Sequence, residues 1–116
     1  MINHVEIYIL DWKNEELFWK KINKIFDFRI IDKWKNGFSV GMDFSSYISF
    51  NEIKNANENY KRVNLGINHL AVKTKLEKES VLNILLKEGI KTLYKEKNEH
   101  NIFIENNWGL KIEIVF

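Results

Sequence analysis

The sequence predicts one α+β domain built from two β-α-β-β-β modules. The 116-residue chain is 45% hydrophobic and 29% charged, which suits a single globular domain with a buried core. The tetrapeptide INHV at residues 2–5 recurs as INHL at residues 67–70. In each half, a segment with helical periodicity follows this tetrapeptide, and segments with the two-residue period of strands come next. The repeat therefore predicts that the two halves share one topology.

The first module, about residues 1–54, begins with an alternating segment that predicts a strand ending near Leu10. A helix follows, and Asp11 or Asn14 is its expected N-cap. Three further strands are expected at residues 28–31, 38–44 and 47–50, and the Asn36-Gly37 turn signal joins the first two as a hairpin. The apolar residues that define the helix are Leu17, Phe18, Ile22, Ile25 and Phe26.

The second module, about residues 63–116, follows a polar linker at residues 55–62. Thr74 and Glu77 form a T-x-x-E capping box that predicts the start of a helix, and Gly89 marks its end at C′. The apolar stripe of this helix is Val81, Leu82, Leu85 and Leu86. Strands are expected at residues 92–94, 101–104 and 110–116, with turns at residues 98–99 and 107–109.

Alternation along the strands predicts which side chains face away from the helices. In the first strand Val5, Ile7 and Ile9 face the helix, so His4, Glu6 and Tyr8 face the other way. The matching strand places His69 on the equivalent face. In the last strand Leu110, Ile112, Ile114 and Phe116 form the predicted buried side, which leaves Lys111, Glu113 and Val115 on the opposite face.

His4, His69 and Glu113 therefore lie on equivalent faces of three strands. If each module curls into a half-barrel, these faces line a common groove. Two neutral imidazoles and one carboxylate suit a divalent metal ion that keeps positions open for water or substrate. A single histidine on a strand is more often a hydrogen-bonded structural residue, but the same position in two repeats favours the metal site. Zn, Ni, Mn, Fe and Co all fit this ligand set.

Composition narrows the range of partners and compartments. The formal charge is only +2 and the lysines are spread along the chain, so we expect no nucleic-acid partner. No apolar run approaches the ~20 residues of a membrane span, so no membrane association is expected. The absence of cysteine excludes disulfides and thiolate sites, and with no signal peptide at the N-terminus it predicts a cytoplasmic location.

These residues resemble the vicinal oxygen chelate superfamily, which contains glyoxalase I, ring-cleaving dioxygenases and the fosfomycin- and bleomycin-resistance proteins. The resemblance rests on the paired modules, on Ile-Asn-His opening each of them, and on residues 109–113, which match a Gly-x-x-hydrophobic-Glu ending. It implies a glyoxalase-like pair of half-barrels around a groove, formed within one chain or between two swapped chains of a homodimer. It also implies that His4, His69 and Glu113 hold a divalent ion.

The resemblance implies a metal-dependent lyase or isomerase that chelates two neighbouring oxygens of a small-molecule substrate. Glu113 and Glu6 are the candidate bases, and Tyr8 is a candidate for orienting a substrate oxygen. Aligning residues 47–50 with residues 111–114 places Ser49 where glyoxalase I enzymes carry a second glutamate. Glu6 and Asn51 are the nearby alternatives to that missing carboxylate.

The same residues are compatible with other functions. A bleomycin-resistance type of protein sequesters a ligand without a catalytic metal. Trp34 and Trp108 are candidates for lining the binding site of a flat ligand. The favoured interpretation of the tryptophans, however, is that they pack in the core. A thiol transferase of the fosfomycin-resistance type and a non-catalytic interaction domain are further alternatives. For an anionic substrate, Lys73 is the only one of three candidate cations on the predicted groove face, the others being Arg29 and Arg62. His100 is expected in a solvated loop.

Overall fold

The computed structural model describes residues 1–54, 59–94 and 100–116, and the chain divides into two compact units, Met1–Asn57 and Glu58–Phe116. Each unit carries one helix and one small sheet, which confirms the predicted α+β class. Unit 1 contains β1 (His4–Ile9), α1 (Trp12–Phe26), β2 (Arg29–Trp34), β3 (Gly37–Asp43) and β4 (Ser46–Glu52). Unit 2 contains β5 (His69–Lys73), α2 (Lys78–Lys87), β6 (Ile102–Glu105) and β7 (Lys111–Val115).

The sheet of unit 1 has the strand order β1-β4-β3-β2, with β1 parallel to β4 and the other pairs antiparallel. The predicted hairpin is confirmed, because β2 ends at Trp34 and β3 begins at Gly37. Glycine is required at position 37 because a Cβ atom there would lie 2.3 Å from the backbone oxygen of Phe50. β3 ends at Asp43, so Phe44, which was predicted as a strand residue, lies in the following turn and is exposed.

Helix α1 covers one face of this sheet. Asp11 is the N-cap, and its side chain accepts a hydrogen bond from the backbone N–H of Asn14 at 3.2 Å. Trp19 is fully buried, lies 5.5 Å from the Phe50 ring, and donates its indole N–H to Glu15. Leu17, one of the five apolar residues that defined the predicted helix, is exposed, because at 100° per residue its side chain points away from the sheet.

The sheet of unit 2 has the strand order β5-β7-β6, with β5 parallel to β7 and β6 antiparallel to it. The strand expected at residues 92–94 is reduced to a single bridge between Leu93 and Phe103. The turn predicted at residues 98–99 lies outside the described residues, as does part of the linker. Ile112 and Ile114 are fully buried, whereas Phe116 lies beyond the end of β7 and is partly exposed, contrary to the prediction.

Helix α2 begins later than the capping box predicted. Its first residue is Lys78, and the N-cap Glu77 makes no capping bond with its side chain. Thr74 instead accepts a hydrogen bond from the backbone N–H of Leu76 at 3.1 Å and donates its own backbone N–H to β7. Gly89 follows the helix in the left-handed region, as predicted, with the bonding pattern of a Schellman motif.

The buried side of α2 is narrower than the sequence pattern suggested. Val81 and Leu85 are buried, whereas Leu82 and Leu86 are exposed. Neither of the two helices in the described part of the chain has the length and apolar character that crossing a membrane requires.

Candidate metal-binding site

The first strand of each unit begins at a histidine that directly follows an asparagine, and the two asparagine–histidine pairs have the same geometry. The Nδ1 atom of His4 lies 2.7 Å from Oδ1 of Asn3, and the Nδ1 atom of His69 lies 2.8 Å from Oδ1 of Asn68. Both asparagines donate their Nδ2–H groups to backbone carbonyls of their own unit. Because Nδ2 is committed in this way, Oδ1 accepts from the imidazole Nδ1–H. The arrangement fixes the ring and leaves Nε2 as the nitrogen with a lone pair.

In unit 2 the structure brings two of the predicted ligands together. His69 lies opposite Lys111 in the β5–β7 register, so Glu113 is two residues further along β7 on the same face. Nε2 of His69 lies 3.0 Å from Oε2 of Glu113. Oε1 of Glu113 accepts a hydrogen bond from Nδ2 of Asn101 at 2.7 Å. The side chains of His69 and Glu113 are 35% and 18% exposed, so both are accessible from solvent.

This contact joins two atoms that both carry lone pairs. Asn68 holds the proton of His69 on Nδ1, and Asn101 occupies the other oxygen of Glu113. A proton or a metal cation between Nε2 and Oε2 is therefore needed to make the contact favourable. Two ligands at 2.0–2.1 Å from a divalent ion stand about 3.3–3.4 Å apart in the tetrahedral geometry of Zn²⁺ and about 2.9 Å apart at the right angle of an octahedral ion. The observed 3.0 Å separation fits two adjacent ligands of a divalent ion.

Unit 1 has the histidine but lacks the matching carboxylate. The β1–β4 register pairs His4 with Tyr47 and Glu6 with Ser49, so Ser49 occupies the position that Glu113 holds in unit 2. The Ser49 hydroxyl is buried and lies 2.7 Å from the hydroxyl of Ser39. The imidazole of His4 stacks on the ring of Tyr47 at 4.9 Å. Ser49 is thus committed to a hydrogen bond inside the sheet.

Glu6 is the carboxylate closest in register to Ser49, and it is exposed on the same face as His4. Its Oε1 atom accepts a hydrogen bond from Nδ2 of Asn51. The Oδ1 atom of Asn51 in turn accepts from the Trp34 indole N–H at 2.7 Å. This chain of hydrogen bonds orients the carboxylate and holds the indole of half-buried Trp34.

The remaining predicted residues are spread over the two units. Tyr8, Lys73 and His100 are exposed. Trp108 is half-buried and meets the Tyr60 ring edge-on at 4.9 Å. Within either unit, the described residues contain no group of three or more His, Asp or Glu side chains arranged to hold a metal. A site with three protein ligands needs one more ligand than the His69–Glu113 pair supplies.

Sequence reasoning missed the residues that orient the candidate ligands. Asn3 and Asn68 precede both histidines, and their recurrence in the repeat was the signal that would have identified them. Asn101 has no such signal, because its role depends on the approach of β6 to β7.

Comparison with known proteins identifies the fold. No protein-family model matches the chain. "Uncharacterized protein YqjT" from Bacillus subtilis (strain 168) is 26% identical, and the match covers 98% of this chain and 97% of that protein. The solved structure of a "putative glyoxalase" from Bacillus halodurans has a TM-score of 0.86 and 22% identity, over 99% of this chain and 94% of its own.

Two more distant solved structures extend the comparison. A glyoxylase/bleomycin resistance protein/dioxygenase domain from Frankia sp. EAN1pec has a TM-score of 0.70 and 11% identity, covering 99% of this chain and 90% of its own. The fosfomycin resistance protein FosX from Mesorhizobium loti has a TM-score of 0.63 and 14% identity, covering 98% and 89%. These structural neighbours are a putative glyoxalase, a glyoxylase/bleomycin resistance protein/dioxygenase domain and a fosfomycin resistance protein, and the glyoxalase-like fold that the sequence predicted is confirmed.

Proposed function

We propose that this protein binds a divalent metal ion through His69 and Glu113 and uses it to hold a small molecule by two neighbouring oxygens. The observation that supports this proposal best is the 3.0 Å contact between Nε2 of His69 and Oε2 of Glu113, a pair of potential metal ligands that a shared proton or a bound divalent cation would stabilise. Asn68 and Asn101 hold the two side chains in this orientation, as the outer partners of metal ligands do.

His4 is our proposed third ligand, supplied by the same chain or by a second copy in a homodimer. Asn3 holds the His4 ring as Asn68 holds that of His69, so the Nε2 lone pair is available in the same way. Zn, Ni, Mn, Fe and Co are all compatible with two imidazoles and one carboxylate. We also propose that the protein forms a homodimer, which light scattering on the purified protein tests directly. Its proposed location is the cytoplasm.

The reaction we propose is that of a lyase or isomerase. A bound divalent ion supplies Lewis-acid stabilisation of negative charge on the substrate oxygens. Glu6 is our candidate for the base that removes a proton from the substrate carbon. Its Oε1 atom is held by Asn51, so the carboxylate is oriented and Oε2 is the atom that takes the proton. Ser49 cannot perform this role, because a neutral hydroxyl is too weak a base and this one is buried against Ser39.

Calorimetric titration of the chelator-treated protein with Zn²⁺, Ni²⁺ and Mn²⁺ tests the metal proposal. We expect saturable metal binding to the native protein. His69→Ala and Glu113→Gln should each lower the metal affinity by more than the roughly 10–100-fold loss that follows replacement of a residue that only hydrogen-bonds a ligand. His100→Ala is the matched control, because His100 is an exposed histidine outside the proposed ligand set. A protein that takes up no divalent ion, or that loses it equally in His100→Ala, contradicts the proposal.

The role of Glu6 has its own test once a substrate is in hand. Glu6→Gln keeps the shape of the side chain and its contact with Asn51 but removes the basic oxygen. We expect unchanged metal affinity and a lower kcat, by roughly 10²–10⁴-fold, which is the usual contribution of a general base. Full activity in Glu6→Gln contradicts the assignment and leaves Glu113 as the candidate base.

A metal-free binding protein of the bleomycin-resistance type is the second candidate function. Aromatic side chains on the face of unit 1 that carries His4 favour it, because Tyr8 is exposed, Tyr47 stacks on His4, and Trp34 is only half-buried. Binding of a flat aromatic ligand that quenches tryptophan fluorescence equally with and without chelator supports this alternative. A thiol transferase of the fosfomycin-resistance type is supported instead if the metal-loaded protein consumes a thiol together with an epoxide.

A further inference from the structure

The indole of Trp34 crosses a neighbouring strand of the unit 1 sheet to reach Asn51. Trp34 on β2 is the cross-strand partner of Gly37 on β3, and Gly37 is in turn the partner of Asn51 on β4. A Cβ atom at position 37 would stand 2.5 Å from Nε1 of Trp34, so the five-membered ring of the indole rests on the bare backbone of the glycine. Because no side chain stands between them, Nε1 of Trp34 reaches Oδ1 of Asn51 at 2.7 Å.

The amide of Asn51 connects this indole to Glu6. Asn51 lies opposite Tyr8 on β1, and Glu6 is two residues before Tyr8, so the side chains of Asn51 and Glu6 are on the same face of the sheet. Nδ2 of Asn51 donates to Oε1 of Glu6, while Oδ1 accepts from the indole N–H. A single amide group therefore joins Trp34, on the edge strand β2, to Glu6, on the opposite edge strand β1.

The two ends of an asparagine amide differ, so the orientation of Asn51 decides which group Glu6 meets. An indole nitrogen can only donate a hydrogen bond, and an ionised carboxylate can only accept one. In the observed orientation Asn51 presents its oxygen to Trp34 and its N–H group to Glu6, and both contacts are hydrogen bonds. Turning the amide end for end would set donor against donor at Trp34 and acceptor against acceptor at Glu6. The indole therefore selects the orientation in which Glu6 faces a donor.

The indole matters most after Glu6 has taken a proton from the substrate. An ionised Glu6 attracts the N–H end of Asn51 strongly by itself, whereas a neutral carboxyl group makes a weaker hydrogen bond. The bond from Trp34 does not depend on the charge of Glu6, so it keeps Nδ2 of Asn51 directed at Oε1 in both states. The carboxyl group thus keeps the geometry from which it can return the proton.

We propose that Trp34 is a positioning residue for Glu6 and acts on it through Asn51. The inference rests on the proposed function in that it takes Glu6 as the base of the reaction. In this role the polar edge of the indole is committed to Asn51. Gly37 serves the same arrangement, because a side chain at that position would displace the indole from the strand.

Carbon NMR of the glutamate carboxyl groups, in excess chelator and at a fixed neutral pH, tests the positioning role without substrate or metal. Asn51→Ala removes the donor and gives the position of the Glu6 carboxyl resonance without this hydrogen bond. Trp34→Phe keeps an aromatic ring but removes the indole N–H. We expect Trp34→Phe to move the Glu6 resonance in the same direction as Asn51→Ala, over part of the same range. The Glu113 carboxylate, which Asn101 holds, is the internal control and should not move.

Water exchange of the indole N–H of Trp34 gives the reciprocal measurement. Asn51→Ala should speed this exchange about tenfold, because the N–H loses its acceptor. Asn51→Asp should leave it close to the native rate, because a carboxylate still accepts from the indole. The indole N–H of Trp19, which donates to Glu15, is the matched control and should exchange at its native rate in both variants.

A substrate allows a kinetic test of the same role. Trp34→Phe should lower kcat by a smaller factor than Glu6→Gln does, because the base is still present but less well held. KM and metal affinity should stay native, since Trp34 contacts neither the proposed metal ligands nor the chelated oxygens. A native kcat in Trp34→Phe, or a change confined to KM, contradicts the positioning role.

A Glu6 resonance that moves in Asn51→Ala but stays native in Trp34→Phe overturns the inference, and so does one that moves in neither variant. If Trp34→Phe does not fold, the exchange rates of the indole in Asn51→Ala and Asn51→Asp decide the outcome, and equal rates in the two overturn it. Because chelator is present in the NMR experiments, failure of the metal proposal leaves their result unaffected. Full activity in Glu6→Gln would remove Glu6 as the base and would leave the measured contact between Trp34, Asn51 and Glu6 standing.

Discussion

Replacing Asn68 with alanine isolates the part of the metal proposal that depends on orientation. Asn68 bonds Nδ1 of His69 at 2.8 Å and a backbone carbonyl at 2.8 Å, so alanine removes both hydrogen bonds and frees the ring to rotate. Loss of such an outer partner costs roughly 10–100-fold in metal affinity, or about 1.4–2.7 kcal/mol. We expect Asn68→Ala to bind Zn²⁺ more weakly by this amount, measured by calorimetry or by competition with a chromophoric chelator.

Asn68→Asp provides the matched comparison. Aspartate keeps the oxygen that accepts from Nδ1 of His69 but loses the amide that donates to the backbone carbonyl. We expect it to keep the native affinity or to exceed it, because a carboxylate strengthens the imidazole as a ligand. Native affinity in Asn68→Ala, or an equal loss in both variants, would refute the argument that Asn68 fixes His69 for metal binding.

Three further predictions concern stability and titration. Gly37→Ala should lower the free energy of unfolding by about 1–3 kcal/mol in urea denaturation, since its Cβ would meet the Phe50 carbonyl; native stability would contradict this. Burial raises the pKa of Glu16, but hydrogen bonds and charges from two lysines outweigh it and lower the pKa below 4.5. The stabilisation of the folded protein by ionised Glu16 is present above pH 4.5 and is lost as the pH falls through the folded pKa. Glu16→Gln should therefore make the urea midpoint less dependent on pH across that acid range. In a spectrophotometric titration at alkaline pH, Tyr94 should ionise at a lower pH than half-buried Tyr60, because a hydrogen bond from Arg62 lowers the pKa of Tyr94 and desolvation raises that of Tyr60. Tyr94→Phe should remove a step that precedes the ionisation of Tyr60, and persistence of that step would contradict the assignment.

Local periodicity predicted most of the fold because it is a property of neighbouring residues. The alternation in β1 and β7 was enough to place His4 and Glu113 on exposed faces, and the repeat was enough to predict two similar modules. The register of β5 against β7 then brings Nε2 of His69 to 3.0 Å from Oε2 of Glu113. Alternation along a single strand does not predict this distance, because it carries no information about how two strands pair.

The features that sequence reasoning missed depend on contacts between distant segments. Asn101 gains its role only when β6 approaches β7 and brings its amide to Glu113. Thr74 matched a helix-capping pattern, but a hydrogen bond to the nearer Leu76 N–H and a backbone bond to β7 hold it in a turn instead. Long-range packing decided each of these positions, so local sequence rules were insufficient there.

Nitrogen NMR of the histidine side chains during Zn²⁺ addition tests the central claim most directly, because it reports on each ring nitrogen separately. We predict that His69 carries its proton on Nδ1 and that Zn²⁺ shifts its Nε2 resonance while Nδ1 stays protonated. The His100 resonances should not change. Saturation with Zn²⁺ that leaves Nε2 of His69 unaltered, or a ring protonated on Nε2 alone, would contradict the proposed metal site.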